Sequence, residues 1–378
     1  MSESTSSSLP RRLWTTTLMF SLTALVALIA VPWYGIVHGY SASAWIAFAV
    51  FMVLGSMSIT VGYHRLWSHR SYEAHPAVRL FLALWGAMTL QNSILIWASG
   101  HRTHHRHVDD NDRDPYSAGR GFWFSHIGWM LRDYESGQPD FTNAPDLLRD
   151  PIVMWQHRNY LAITLAMNIG LPVLLGLVFG NVIEMLLLAG FLRLVLAHHF
   201  TFFINSLAHI WGKRPYTEEN SARDNGFLAL LTYGEGYHNY HHLFQYDYRN
   251  GVRWWQFDPS KWVIAAMSWV GLARNLKRAS NFKIHQAILA TEFRKAREKL
   301  EQGDGNTEKW RAVLEQEYQH FLSVLEQCKA LKTNLYQQTR QHIAAHWEQA
   351  SMRTRMREFE YMLKMQRKRL ALLTVQFS

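Results

Sequence analysis

Apolar residues are spread unevenly along this chain. Four runs, at about 13–36, 42–63, 159–179 and 182–206, are nearly free of charge. A bilayer core of about 30 Å takes roughly 20 residues of helix to cross, so each run reads as a transmembrane helix. Only "HGYSAS" separates the first pair and only "GNV" the second, which predicts two helical hairpins. Neither connection carries lysine or arginine, whereas the flanks of the hairpins are basic. Because basic residues accumulate on the cytoplasmic side, both hairpin tips should point away from the cytoplasm. The N-terminus, the central region and the C-terminus then share the cytoplasmic face.

A fifth apolar stretch, 77–98, contains Gln91, Asn92 and Ser93, which a lipid-facing helix tolerates poorly. It is expected to lie at the interface or dip in without crossing. Residues 107–158 read as loop and turn, and 210–258, rich in Trp, Tyr, Gly and Arg, as a cap against the membrane surface. From about 285 the pattern becomes that of soluble helices, broken at Gly303 and Gly305. Leu314, Tyr318, Phe321, Leu325 and Cys328 alternate four- and three-residue steps, a short coiled-coil-like seam. The tail should pack on itself or on a second copy of the chain, giving a homo-oligomer. Its basic end, "MREFEYMLKMQRKRLALL", also suits a membrane surface.

These patterns predict an all-α integral membrane protein. Four transmembrane helices in two hairpins carry a cytoplasmic helical cap and a C-terminal helical tail. The expected bounds are a flexible start at 1–12, a membrane domain at 13–284 and the tail at 285–378. The first run is too long for the core of a cleaved signal peptide and reads as a retained anchor.

Composition narrows the chemistry. One cysteine, Cys328, rules out a disulfide framework and a thiolate-rich metal site. The net charge of +10 suits an anionic lipid face or an anionic head group. No recognition motif accompanies that charge, so nucleic acid is not the expected partner.

Histidines form three clusters, "HRLWSH" at 64–69, "HRTHH" at 101–105 and "HNYHH" at 238–242. Positions i, i+3 and i+4 share a helix face, so His101, His104 and His105 can converge, as can His238, His241 and His242. His64 and His69, at i and i+5, share no face of an ideal helix and fit a bend at the end of the second span. The topology places all three clusters on one membrane face. Imidazole suits zinc, copper, iron and nickel. Eight histidines exceed the needs of one ion, so two ions are the economical reading. His209 stands alone and is not found by spacing. His198 and His199 lie within the fourth run and suit packing or tunnel roles.

The three clusters, with "QNSILIWASGHRTHH", "DPYSAGRGFWFSHIGWML", "INSLAHIWGKRPY" and "GEGYHNYHHLFQYDYR", closely resemble the membrane fatty acyl desaturases, the stearoyl-CoA Δ9 type in particular. The resemblance covers roughly residues 10–285 and leaves the tail outside it. It implies two iron ions held by His64, His69, His101, His104, His105, His209, His238, His241 and His242, with Asn205 reaching one iron through a water. It implies an O2-dependent enzyme that sets a cis double bond, Δ9, into a saturated acyl-CoA. Gln91, Asn92, Trp97 and Thr201 match residues lining the bend of the family's acyl tunnel, and Met52 matches the position that closes its end. The animal members carry an Arg-Asp pair where this chain has Ser99 and Gly100, and an Arg-Arg pair at Gly119 and Arg120. Acyl carrier protein and phospholipid chains therefore stay open as carriers, and hydroxylation as a rival outcome. Electrons would come from a separate protein, cytochrome b5 or a ferredoxin with its reductase. Small hairpin loops suggest a bacterial inner membrane rather than endoplasmic reticulum, with the active site on the cytoplasmic face.

Overall fold

The computed structural model describes residues 9–302, 307–340 and 346–375. Residues 1–8 of the expected flexible start lie outside them. Among the described residues the regular structure is helical apart from isolated bridges and one antiparallel pair, β1 (Glu73–Ala74) with β2 (Ala273–Arg274), and loops join the elements. It divides into two compact units, residues 1–213 with 220–278, and residues 214–219 with 279–378.

Four helices of the first unit are long and apolar enough to cross a membrane: α1 (Trp14–Val37), α2 (Ala42–Ser68), α5 (Tyr160–Phe179) and α6 (Val182–Ile210). The most apolar stretch of α2 is 56% buried and that of α6 50%, against 11% for α1 and 22% for α5. The second and fourth spans therefore form the centre of this unit, and the first and third turn their side chains outward. The hairpin turns use Gly39 and Gly180 at φ of 74° and 73°, where a Cβ would be strained. The two tips meet: Ser41 caps α2 and its backbone N–H donates to Glu184 Oε2 (2.8 Å), while Asn181 Nδ2 donates to Ser43 Oγ (2.9 Å). At the opposite end Arg11–Leu13 pairs with Leu131–Asp133, through Leu13 N to Leu131 O (2.9 Å) and Asp133 N to Arg11 O (2.8 Å).

The fifth apolar stretch is two helices, not one. Helix α3 (Pro76–Ala87) stops at Met88, and α4 (Ile94–His107) starts under the Ser93 cap. Twelve residues rise only about 18 Å, so α3 cannot span. Beyond them, α7 (His238–Leu243) and α8 (Pro259–Trp269) belong to the polar cap.

The second unit is built by α9 (Asn281–Gln302), α10 (Thr307–Arg340) and α11 (His346–Val375). Leu314, Phe321 and Cys328 of the expected seam are buried with Phe293, Leu363 and Leu370, and Tyr318 and Leu325 border them. A break at Gly303 and Gly305 alone suits a two-helix hairpin; the structure adds a third helix, α11, whose Leu363 and Leu370 complete the core.

Candidate metal centre

The path of α2 brings His64 and His69 together. Its last stretch, Ser58–Ser68, winds as a π-helix, and His69 N donates to His64 O (3.0 Å). An i→i+5 turn puts residues five apart on one face, which an ideal α-helix does not. The bend expected from the sequence is thus a change of helical period. His101, His104 and His105 lie along α4, and His238, His241 and His242 on α7. Gly236 precedes α7 where a Cβ would fall within 2.6 Å of the Asn225 carbonyl oxygen, which cannot give way. Gly236→Ala should therefore displace α7, with loss of bound metal larger than the loss of purified protein. Metal content per folded chain checks this.

Nine imidazoles converge in two groups. His64, His69, His101, His105 and His241 form one, and His104, His209, His238 and His242 the other, with donor atoms of each group within 4.8 Å of one another. His241 Nε2 lies 3.0 Å from the Nε2 atoms of both His64 and His105. His101 Nε2 is 2.9 Å from His69 Nε2. In the second group His238 Nε2 lies 3.1 Å from the Nε2 atoms of both His209 and His242. His105 and His242 stack at 4.3 Å between centroids and link the groups.

Outer partners face the other ring nitrogens. His104 Nδ1 lies 2.9 Å from both oxygens of Asp114, His209 Nδ1 2.7 Å from Ser221 Oγ, and His101 Nδ1 3.1 Å from the Tyr116 hydroxyl. Glu235 Oε2 sits 2.9 Å from His64 Nδ1, at ion-pairing distance without hydrogen-bond alignment. Arg65, fully buried, donates to Glu235 Oε1 through Nε (3.2 Å) and Nη2 (2.9 Å), and to Asp258 Oδ2 (3.2 Å) and Tyr248 O (2.8 Å). Burial works to raise the Glu235 carboxyl, but His64 and Arg65 outweigh it and hold it below the usual value.

These residues fit a pair of metal ions. A carboxylate can only accept, so the proton of His104 sits on Nδ1 and its Nε2 presents a bare lone pair. Lone pairs gathered about 3 Å apart repel unless a proton or a cation lies among them. Burial first, and neighbouring imidazoles second, push His101, His238 and His241 well below the ordinary imidazole pKa, so each keeps one unprotonated ring nitrogen at neutral pH. The sign for stability follows. Unfolded imidazoles take up protons below about pH 6.5 while these folded ones do not. The metal-free protein should hold full stability above that pH and lose it progressively below. Thermal unfolding of metal-free protein at pH 7.5 and 5.5 checks this, and an equal or higher midpoint at 5.5 contradicts it.

Beside the imidazoles lies a cavity of about 560 Å³ whose lining includes His64, His101, His238 and Asn205. Gln91, Asn92, Trp97 and Thr201 line it as well. Trp97 Nε1 donates to Gln91 Oε1 (3.3 Å), Gln91 Nε2 donates to Thr201 Oγ1 (3.0 Å), and the Trp97 ring lies over His101. Arg120 and Met52 are not in the lining. Arg120 is exposed, with its guanidinium 3.6 Å from the Phe124 ring centre and 4.5 Å from that of Tyr134, which does line the cavity. Met52 is buried one helical turn before Ser56, a lining residue. Sequence spacing found neither His209 nor the outer partners. Glu235, three residues before His238, and Asp114, ten after His104, carry no signal without the fold.

A model of the fatty acid desaturase family matches residues 42–271. Acyl-CoA desaturase 1 of Saccharomyces cerevisiae is 43% identical over 254 residues, 67% of this chain and 50% of that protein. The sn-2 palmitoyl-lipid 9-desaturase of Nostoc sp. is 36% identical over 276 residues, 71% of this chain and 91% of that protein. Stearoyl-CoA desaturase 5 of Homo sapiens is 40% identical over 235 residues, 60% of this chain and 70% of that protein. This chain spans about half the length of that Saccharomyces cerevisiae protein and of a probable acyl-CoA desaturase of Schizosaccharomyces pombe. The match extends over more than half of its residues, and the chain belongs to the fatty acid desaturase family.

Proposed function

We propose that this protein is an O2-dependent fatty acyl desaturase that sets a cis double bond, Δ9, into a saturated acyl-CoA. The carrying observation is the pair of imidazole groups on one side of a cavity suited to an apolar chain. His64, His69, His101, His105 and His241 would hold one iron, and His104, His209, His238 and His242 the other, with Asn205 reaching an iron through a water. When bound, the irons supply the oxidising power that an unactivated C–H bond demands. Two hydrogens leave adjacent methylenes, and with two electrons from a donor and two protons from solvent they reduce O2 to two waters. The protein's own part is aim and exclusion. Glu235, Asp114, Tyr116 and Ser221 orient imidazoles. Trp97, Gln91 and Thr201 form a hydrogen-bonded wall that a bent chain can follow.

The donor is a separate one-electron carrier, cytochrome b5 or a ferredoxin with its reductase, and the net basic charge favours an acidic one. The site faces the cytoplasm, in a bacterial inner membrane. Residues 285–378 are a separate helical module through which copies of the chain associate, and the desaturase part is 13–284. A phospholipid carrier is the second reading. Ser99 and Gly100, which carry no charge for a nucleotide's phosphates, line the cavity where the animal members have an Arg-Asp pair. The test is expression in a host lacking Δ9 desaturation, with fatty-acid methyl esters run by gas chromatography–mass spectrometry. A new cis monoene supports the proposal. A hydroxylated acid moves the chemistry to hydroxylation, and no product with two irons bound and donors present defeats it. Purified enzyme offered acyl-CoA or acyl phospholipid decides the carrier.

A further inference from the structure

The break between α3 and α4 forms part of the cavity wall. Leu90, Gln91 and Asn92 all line the cavity. Leu90 and Asn92 take positive φ, 55° and 73°, a conformation that is costly for residues with a Cβ and persists only where the surroundings impose it. A broken helix also releases carbonyls, and in an apolar slab each needs an internal donor.

The hydrogen-bond partners of the break come from one side of α6, two of them as donors. Arg193 Nη1 donates to Met88 O (2.8 Å), His198 Nε2 to Thr89 O (2.7 Å), and Thr201 Oγ1 accepts from Gln91 Nε2 (3.0 Å). His198, Thr201 and Asn205 line the cavity, and Arg193 stands behind the break without reaching it. Arg193 is wholly buried. Its other bonds go to Ala189 O (3.0 Å) and to Asn168 Oδ1 on α5 (2.7 Å). Among the described residues no carboxylate pairs with it. A buried guanidinium with only neutral acceptors is expensive, and such groups inside membranes mark function. Here its evident product is the fixed position of Met88.

We infer that Arg193 and His198 are positioning residues: they clamp the strained wall at 88–92 and so select the carbon that the bound acyl chain presents to the metal centre. The inference rests on the desaturase reading above. It follows from geometry, because a displacement of about 1 Å near a reacting group is enough to change a rate by roughly 100-fold. Neighbouring methylenes of an acyl chain differ by about that distance. With the clamp removed, the wall relaxes and adjacent positions compete.

Two measurements on one set of variants test it: Arg193→Met, Arg193→Lys, His198→Leu and His198→Gln. The first is amide hydrogen exchange of the peptide containing residues 88–93 in purified protein. Exchange in Arg193→Met and His198→Leu should quicken by at least about tenfold, the factor that corresponds to about 1.4 kcal/mol. Unchanged exchange overturns the clamp whether or not any product forms. The second is the ratio of positional isomers and chain lengths among the monoenes, independent of total yield. The minor isomer should rise at least about tenfold in Arg193→Met and His198→Leu. His198→Gln and Arg193→Lys keep a donor and should move back toward the wild-type ratio. Wild-type ratios at lower yield in all four would show a merely structural role and overturn the inference. If the wild type makes no monoene, the desaturase reading falls, and exchange still decides the clamp.

Discussion

His241→Ala should abolish the monoene formation proposed above and strip bound metal from the purified protein. His241 Nε2 is 3.0 Å from two other donors of its group, so it sits centrally among them. Removing it leaves His64, His69, His101 and His105 around a space that water can enter. Loss of an outer partner of a ligand typically lowers metal affinity about 10–100-fold, and loss of the ligand itself should exceed that. The measurement is iron per chain by mass spectrometry, beside fatty-acid analysis of cells making either protein. Retention of two irons per chain with full monoene yield would remove His241 from the centre and with it the two-group reading.

Arg65→Met is the largest stability loss expected outside the metal. Arg65 is buried against Glu235 and Asp258, also buried, with contacts of 2.9 and 3.0 Å. The change takes the guanidinium away from both carboxylates, and breaking such a buried network costs about 3–5 kcal/mol. It also frees Glu235, which abuts His64, so iron content should fall along with stability. Pairing it with Glu235→Gln should recover part of the loss, since one stranded charge is then gone. Thermal unfolding in detergent gives the answer. A change within about 1 kcal/mol, the scale of a surface pair, would mean that water reaches the network.

Helix existence and type were legible along most of the chain because lipid imposes a simple rule, length plus apolarity. The runs at 42–63 and 182–206 lie within helices that extend to Ser68 and Ile210. The extensions carry His64 and His209, which lie beyond the ends of the two apolar runs. The run at 77–98 looked continuous because Leu90, Gln91 and Asn92 contain no proline or glycine to announce a break. Carbonyl acceptors do not show in a sequence, so Arg193 and His198 read as isolated polar residues.

The sequence by itself determined the two membrane hairpins, the helical character of the tail and eight of the nine clustered imidazoles, since periodicity and spacing are local properties. Its resemblance to desaturases supplied His209 and the cavity wall residues. Only the tertiary structure decided the pairing of outer partners with imidazoles, the division of the nine into groups of five and four, and the clamp on the broken helix. Each of these joins segments that lie far apart in the chain, such as Arg65 with Glu235 and Met88 with Arg193. Such contacts are fixed by how whole helices pack, and no window of neighbouring residues contains that information.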